Sequence, residues 1–274
     1  MPEPESQSVL RFDHVTVRFD DVTALDDISF EVSIGETRIV YGAAGSGKTV
    51  LLKAALGLLK PDAGSVYVFG REITGMGERE LFRIRSRIGV LFQEGGLFDS
   101  LTVGENVGYP LENLEEFQLP RAEARERAEE ALRFVELDQT LDKMPAELSG
   151  GMRRRVGIAR AVVTEPRLVL YDSPTAGLDP ITAYTIIALI AKERDLKNTT
   201  TVMATHRYQD GHFMATCRFD PAAGRADPVP QAEEAGLGTV FMLLNQGRIV
   251  FEGSLDELNA SADPYVSKFV RHQE

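Results

Sequence analysis

Apolar and polar residues alternate from Val9 to Phe19, a period of two that predicts a half-buried strand. A second run of this kind spans Ala24 to Ile34 after a short turn. Thr37 to Tyr41 is a short apolar run and leads into a glycine-rich loop. Val50 to Leu59 has helical character and stops before Lys60-Pro61-Asp62-Ala63-Gly64, a turn sequence. Ser65–Phe69 and Arg87–Phe92 again predict strands. Arg121–Val135 predicts a charged, alanine-rich helix with opposite charges four residues apart. After it the pattern gives a helix over Arg153–Val163, a strand over Leu168–Asp172, a helix over Ala183–Arg194 and a strand over Thr200–Thr205. Thr239–Leu244 and Gly247–Phe251 form a hairpin-like pair.

Strands alternating with helices imply an α/β fold with a mainly parallel sheet. The strand-rich start adds an antiparallel β flank. Residues 95–155 are more helical and suggest a subdomain within a single domain spanning residues 1–274. Residues 220–238 hold Pro221, Gly224, Pro228, Pro230 and Gly236 with little periodicity, which predicts a flexible insertion. It is either a tolerated surface loop or a partner-binding one. Residues 255–274 form a C-terminal tail. No internal repeat is present.

Composition narrows the function classes. The net charge of -12 opposes a nucleic-acid partner, which calls for a basic face. One cysteine, Cys217, excludes an internal disulfide, fits a reducing compartment, and reads as an inert thiol. No apolar run is long enough to span a bilayer, and the polar, acidic start does not read as a signal peptide. The expectation is a cytoplasmic protein that reaches any membrane through a partner.

The first chemistry lies in Gly42-Ala43-Ala44-Gly45-Ser46-Gly47-Lys48-Thr49, a full match to G-x-x-x-x-G-K-[ST]. It follows an apolar strand and opens a helix at Val50, the context that gives the motif meaning. Glycines let backbone N–H groups turn toward phosphate oxygens, and the helix N-terminus adds a positive field. Lys48 suits the outer phosphates and Thr49 suits Mg²⁺. ATP and Mg²⁺ are the expected ligands. Asp172, at the end of an apolar strand, is the natural second Mg²⁺ group; alone it would read as a solvated carboxylate.

Leu148-Ser149-Gly150-Gly151-Met152 resembles the signature of ABC-transporter ATPases. Gln93 matches that family's Q-loop, Ala176-Gly177-Leu178-Asp179 its D-loop, and Thr205-His206 its switch histidine. Phe19 falls where an aromatic residue stacks on adenine. The resemblance implies a P-loop ABC ATPase fold and a pair of ATPase subunits, either a homodimer or a pairing with a second ABC ATPase. Ser149, Gly150 and Gly151 of one subunit would cap the ATP held by Lys48 of the other. Gln93 would sense the γ-phosphate or Mg²⁺, with residues 94–109 near a membrane permease. Blander readings stand beside these. Ser149 suits an ordinary helix cap, His206 a strand-end histidine, Phe19 a core residue and Gln93 a plain loop. Arg153, Arg154 and Arg155 suit either a structural helix face or a partner contact.

Leu91-Phe92-Gln93-Glu94-Gly95-Gly96-Leu97-Phe98, together with Glu105-Asn106-Val107 and Pro110-Leu111, resembles the ATPases of MCE-associated lipid transporters. So does Asp263-Pro264-Tyr265-Val266 near the end of the chain. This implies phospholipid or other lipid trafficking, with an MCE-domain protein in the complex. The alternatives are an amino-acid importer ATPase and a non-transport regulatory switch. Three features depart from the family pattern. Ser173 stands where the catalytic glutamate is usual, which implies slow hydrolysis unless His206 or Glu94 substitutes. Arg207 replaces the acidic residue that commonly follows the histidine. The third departure is the insertion at residues 220–238.

Overall fold

The computed structural model describes residues 8–93 and 95–271. Glu94, named above as a substitute base, lies outside them. The chain opens with strands β1 (Ser8–Phe19) and β2 (Val22–Ser33), paired antiparallel. Strand β3 (Thr37–Tyr41) and helix α1 (Lys48–Ala55) bracket the glycine loop. Strands β4 (Ala63–Val68) and β5 (Arg71–Glu72) complete a four-stranded antiparallel sheet of order β2-β1-β4-β5. Helix α2 (Glu78–Arg85) leads to strand β6 (Ile88–Leu91). Helices α3 (Val103–Asn113), α4 (Arg121–Phe134) and α5 (Gly150–Val162) then pack together before strand β7 (Leu168–Asp172). Helix α6 (Pro180–Lys197), strand β8 (Thr200–Thr205) and helix α7 (Tyr208–Thr216) follow. The rest comprises β9 (Cys217–Asp220), β10 (Arg225–Pro228), α8 (Gln231–Glu234), β11 (Thr239–Asn245), β12 (Arg248–Gly253), α9 (Leu255–Ala260) and α10 (Pro264–Arg271).

The central sheet has order β12-β11-β3-β8-β7-β6 and is parallel except for the β11–β12 pair. Strands β3, β7 and β8 are buried along their whole length, as both faces of the sheet are covered there. Alternation still sorts their side chains. Ile39, Tyr41, Val169, Tyr171, Met203 and Phe241 face the core shared with α3–α6, α9 and α10. Val40, Leu168, Leu170, Val202, Ala204 and Met242 face α1 and the antiparallel sheet.

Three expectations need correction. The helix expected to reach Leu59 ends at Ala55, because Gly57 adopts φ 63° against the Leu81 side chain. The helices expected from Arg153 and Ala183 begin a turn earlier, at Gly150 and Pro180, where Ser149 and Asp179 cap them. The expected flexible insertion at residues 220–238 carries the second strand of the β9–β10 hairpin and helix α8. Asp195 accepts the Phe219 N–H at 2.7 Å and Arg194 donates to the Cys217 carbonyl at 2.8 Å, so α6 anchors the hairpin. Strands of four residues, Cys-Arg-Phe-Asp and Arg-Ala-Asp-Pro, leave too short a pattern to read.

Candidate functional site

The glycine loop leaves the end of β3 and turns straight into α1. Gly47 sets that turn: its φ is 104°, and a Cβ there would lie 2.5 Å from the Ala24 carbonyl oxygen. Only glycine tolerates both conditions. Lys48 is buried, and its Nζ donates to the carbonyls of Gly42 at 2.7 Å and Ala43 at 2.9 Å. Burial pulls the Lys48 pKa down, and the nearby Asp172 carboxylate opposes this. Gly45 and Ser46 lie within the same turn, and the Ser46 carbonyl accepts from Gly247 N–H in the β11–β12 turn.

Asp172 ends β7 and is 5% exposed. Thr49 Oγ1, in the first turn of α1, donates to its Oδ2 at 2.8 Å. Ser173 Oγ donates to its Oδ1 at 3.2 Å. Two oxygen groups from distant elements thus meet beside the glycine loop. That donor set fits Mg²⁺, a hard ion that takes one or two carboxylates and completes its shell with phosphate and water. Among the described residues no cluster of three or more His, Cys, Asp or Glu could hold a metal by itself. The fit is to Mg²⁺ arriving with a nucleotide.

Ser173 sits in the left-handed region at φ 50°, and its N–H donates to the Ala204 carbonyl at 2.8 Å. Its hydroxyl is engaged with Asp172, so the side chain offers no base.

The sheet order carries the remaining groups into one row. Strand β8 lies between β3 and β7, and β6 lies beyond β7. Tyr41 pairs with Thr205, Asp172 with Ala204, and Leu91 with Tyr171, so the C-terminal ends are level. The glycine loop, His206, Asp172–Ser173 and Gln93 therefore leave the same edge. His206 and Gln93 are exposed. Phe19 ends β1 and is 45% exposed, so its core-packing reading falls.

A second group of residues flanks α5 and α6. Ser149 caps α5, its Oγ accepting from Met152 N–H at 3.2 Å. Among the described residues no heavy atom lies within 4 Å of a would-be Cβ on Gly150, whereas one on Gly151 would meet Thr182 Cγ2 at 2.4 Å. Asp179 caps α6, accepting from Ile181 and Thr182 N–H and from Thr182 Oγ1 at 2.6 Å. Those bonds from Thr182 hold the Asp179 pKa down. The arginine run is structural. Arg153 donates to the Leu148 carbonyl, Arg154 to those of Pro174 and Ala176, and Arg155 to that of Val135. Arg154 thereby ties α5 to the segment between Ser173 and Asp179. Its role was not legible in sequence, nor was that of the buried Asp210, which carries no motif.

A strand, glycine loop and helix that present a buried lysine, beside a strand-end carboxylate on a parallel sheet, define a P-loop nucleotide-binding domain. The chain belongs to the ABC transporter family, whose model matches residues 25–176. It is 42% identical over 185 residues to the methionine import ATP-binding protein MetN of Carboxydothermus hydrogenoformans, covering 68% of this chain and 54% of that protein. It is 36% identical over 192 residues to a probable ribonucleotide transport ATP-binding protein of Mycobacterium leprae, covering 70% and 55%. The chain spans about half the length of the curated relatives it matches. Among solved structures, a dimeric ATP-binding cassette in a post-hydrolysis state with ADP and Pi aligns with TM-score 0.73 and 29% identity, over 90% of this chain and 98% of that one. The cbiO1 protein of Clostridium perfringens, part of an ABC transporter complex, aligns with TM-score 0.74 and 26% identity, over 97% and 96%. No helix among the described residues is long and apolar enough to cross a membrane.

Proposed function

We propose that this chain is the ATP-binding subunit of an ABC transporter, in which ATP closes a dimer of two such subunits and slow hydrolysis reopens it. The observation that carries the reading is the meeting of Thr49 and Asp172 beside the Lys48 loop. Lys48 is free to exchange its two loop carbonyls for phosphate oxygens. Thr49 and Asp172 would hold Mg²⁺, which neutralises charge developing on the phosphates. Gln93 and His206 flank this centre, with His206 placed to orient the attacking water. Phe19, exposed at the end of β1, offers its ring to adenine. Ser149, Gly150 and Gly151 at the start of α5 present backbone N–H groups to the nucleotide of a partner subunit, with Asp179 beside them. ATP favours the closed dimer because it contacts both subunits only there.

Ser173 sets the rate. General-base catalysis is worth roughly 10²- to 10⁴-fold, and a serine hydroxyl engaged with Asp172 does not supply it. Electrostatic stabilisation by Lys48 remains. A permease is the membrane partner, and the subunit lies against the cytoplasmic face through it.

For the cargo, the relatives support an amino-acid importer: the methionine import proteins match over most of this chain. A second reading, lipid transport with an MCE-domain partner, rests on the residue patterns at 91–111 and from Asp263 to Val266. Affinity purification of the chain with its permease from native membranes, followed by mass spectrometry, separates them. An MCE-domain protein in the complex supports the second reading; a soluble amino-acid-binding protein supports the first.

The test of the central reading is ATP binding and steady-state hydrolysis of wild type beside Ser173→Glu and Lys48→Ala. Weak wild-type turnover, a large gain in Ser173→Glu and lost binding in Lys48→Ala are expected. Wild-type turnover equal to that of Ser173→Glu would overturn the slow-hydrolysis reading.

A further inference from the structure

The carboxylate of Asp210, in the first turn of α7, is 3% exposed and has no place in the nucleotide site described above. Its Oδ2 accepts two hydroxyls: Thr175 Oγ1 at 2.6 Å and Thr205 Oγ1 at 2.8 Å. Both threonines are 1% exposed. Arg207 Nε lies 3.6 Å from Oδ1. The Arg207 N–H in turn donates to Thr205 Oγ1 at 3.1 Å. One buried carboxylate thus holds three groups from two loops.

The loops concerned are those that matter for nucleotide. Thr175 follows Ser173 by two residues, and its carbonyl accepts from Leu178 N–H at 3.2 Å, the residue before Asp179. Thr205 precedes His206 directly. Arg154 already grips the first loop from the other side, through the Pro174 and Ala176 carbonyls. Hydrogen bonds to a buried carboxylate are the stronger kind, and leaving one unmade is costly. Burial raises the Asp210 pKa, while the two hydroxyls and Arg207 pull it down. Arg207 also gains a reason here: the cation after His206 is partnered by the acid three residues on.

We infer that Asp210 is a positioning residue that locks the His206 loop to the Thr175–Asp179 loop, so that both move as one body at the nucleotide site. The lock itself is independent of nucleotide; its effect on turnover rests on the function proposed above. It holds the switch histidine of one subunit in register with the aspartate that faces the other.

The experiment compares Asp210→Ala, Asp210→Asn and Thr175→Val in the full chain by amide hydrogen exchange. ATP affinity and single-turnover hydrolysis are measured for each in the Ser173→Glu background. Asp210→Ala is expected to speed exchange about tenfold or more in both residues 174–179 and 205–209, with helix α3 unchanged. Hydrolysis should fall about tenfold while the ATP dissociation constant moves less than about threefold. Asp210→Asn, which keeps an acceptor oxygen, should recover part of both effects. Faster exchange in one loop alone would overturn the lock, as would unchanged exchange in both. Equal losses in affinity and rate would reduce Asp210 to a structural role. If Asp210→Ala does not fold, Thr175→Val removes one arm, and faster exchange in both loops or in one alone decides the lock in the same way. If Lys48→Ala binds ATP as tightly as its parent, the nucleotide reading fails while the exchange data still decide the lock.

Discussion

Thr49 Oγ1 donates to Asp172 Oδ2 at 2.8 Å across 123 residues of sequence. The bond joins the first turn of α1 to the end of β7. Asp172→Asn keeps an acceptor there but removes the charge that, on the proposed function, would draw a divalent ion. ATP affinity in Asp172→Asn should lose at least tenfold of its Mg²⁺ dependence, with affinity in EDTA preserved. Titration of a fluorescent ATP analogue with and without Mg²⁺ measures this. Undiminished Mg²⁺ stimulation in the variant would remove Asp172 from the metal site.

The left-handed backbone of Ser173 makes a separate stability prediction. Glycine adopts φ 50° without a Cβ clash, and it keeps the N–H bond to Ala204. Ser173→Gly should therefore stay within about 1 kcal/mol of wild type in urea, because relief of backbone strain offsets the added freedom of its unfolded chain and the lost bond to Asp172. A loss of more than about 1 kcal/mol would show that the hydroxyl bond to Asp172 outweighs the backbone strain.

Gly150 and Gly151 should separate two roles. Gly151→Ala drives a Cβ against Thr182 Cγ2, and Thr182 cannot rotate without breaking its bond to Asp179. It should lose about 1–3 kcal/mol of stability. Gly150→Ala meets nothing within 4 Å among the described residues, so its melting temperature should match wild type while the proposed ATP-dependent dimer should weaken. Calorimetry and analytical ultracentrifugation read the two effects. A Gly150→Ala dimer as tight as wild type would take that residue out of the interface.

Arg154 holds two carbonyls with one planar fork, at 2.6 Å and 2.8 Å. Lysine cannot reproduce that geometry. Arg154→Lys should cost about 2 kcal/mol in urea unfolding, close to Arg154→Ala. Full rescue by lysine would mean that charge alone matters.

Glu193 gives a pH dependence of known sign. It is 2% exposed, and Oε1 accepts from Thr199 Oγ1 while Oε2 is buried with no hydrogen-bond partner among the described residues. Burial raises its pKa from 4.5 to about 7, against the pull of Thr199 and Lys197. The folded state therefore binds more protons than the unfolded one between these values. Its contribution to stability is full below about 4.5 and is lost as pH rises through about 7. Glu193→Gln should gain on wild type by up to about 3 kcal/mol at pH 8 and by little at pH 5. Unfolding free energies at the two pH values decide it; an equal difference at both would mean that the carboxyl does not titrate in this range.

Much of the parallel sheet and its phosphate loop was legible, because Leu168–Asp172 and Thr200–Thr205 are apolar runs with clear boundaries. The glycine loop was legible because its residue types are fixed by backbone geometry. Helices α5 and α6 were read late, since Gly150 and Pro180 are poor helix formers in an interior and only their capped positions admit them. The β9–β10 hairpin was invisible because its stability comes from Arg194 and Asp195, distant in sequence. Asp210 was missed for the same reason, and Arg154 was read only as part of a run on a helix face: the partners of each are brought together only on folding.

The level ends of β3, β8 and β7 act as a ruler. Neighbouring strands stand about 4.8 Å apart, so three of them span roughly 10 Å. Distances between the lysine loop, the histidine and the Asp172–Ser173 pair are thus set by sheet spacing rather than by loop length. On the proposed reading, a base absent at Ser173 would be hard to replace by loop drift, because any substitute must reach a fixed place along that scale. Chemistry can be weakened at one mark while the spacing that recognises the nucleotide is left whole. On the proposed function, binding and turnover would then be separable traits, the first held by the strand spacing and the second set by the residue at one strand end.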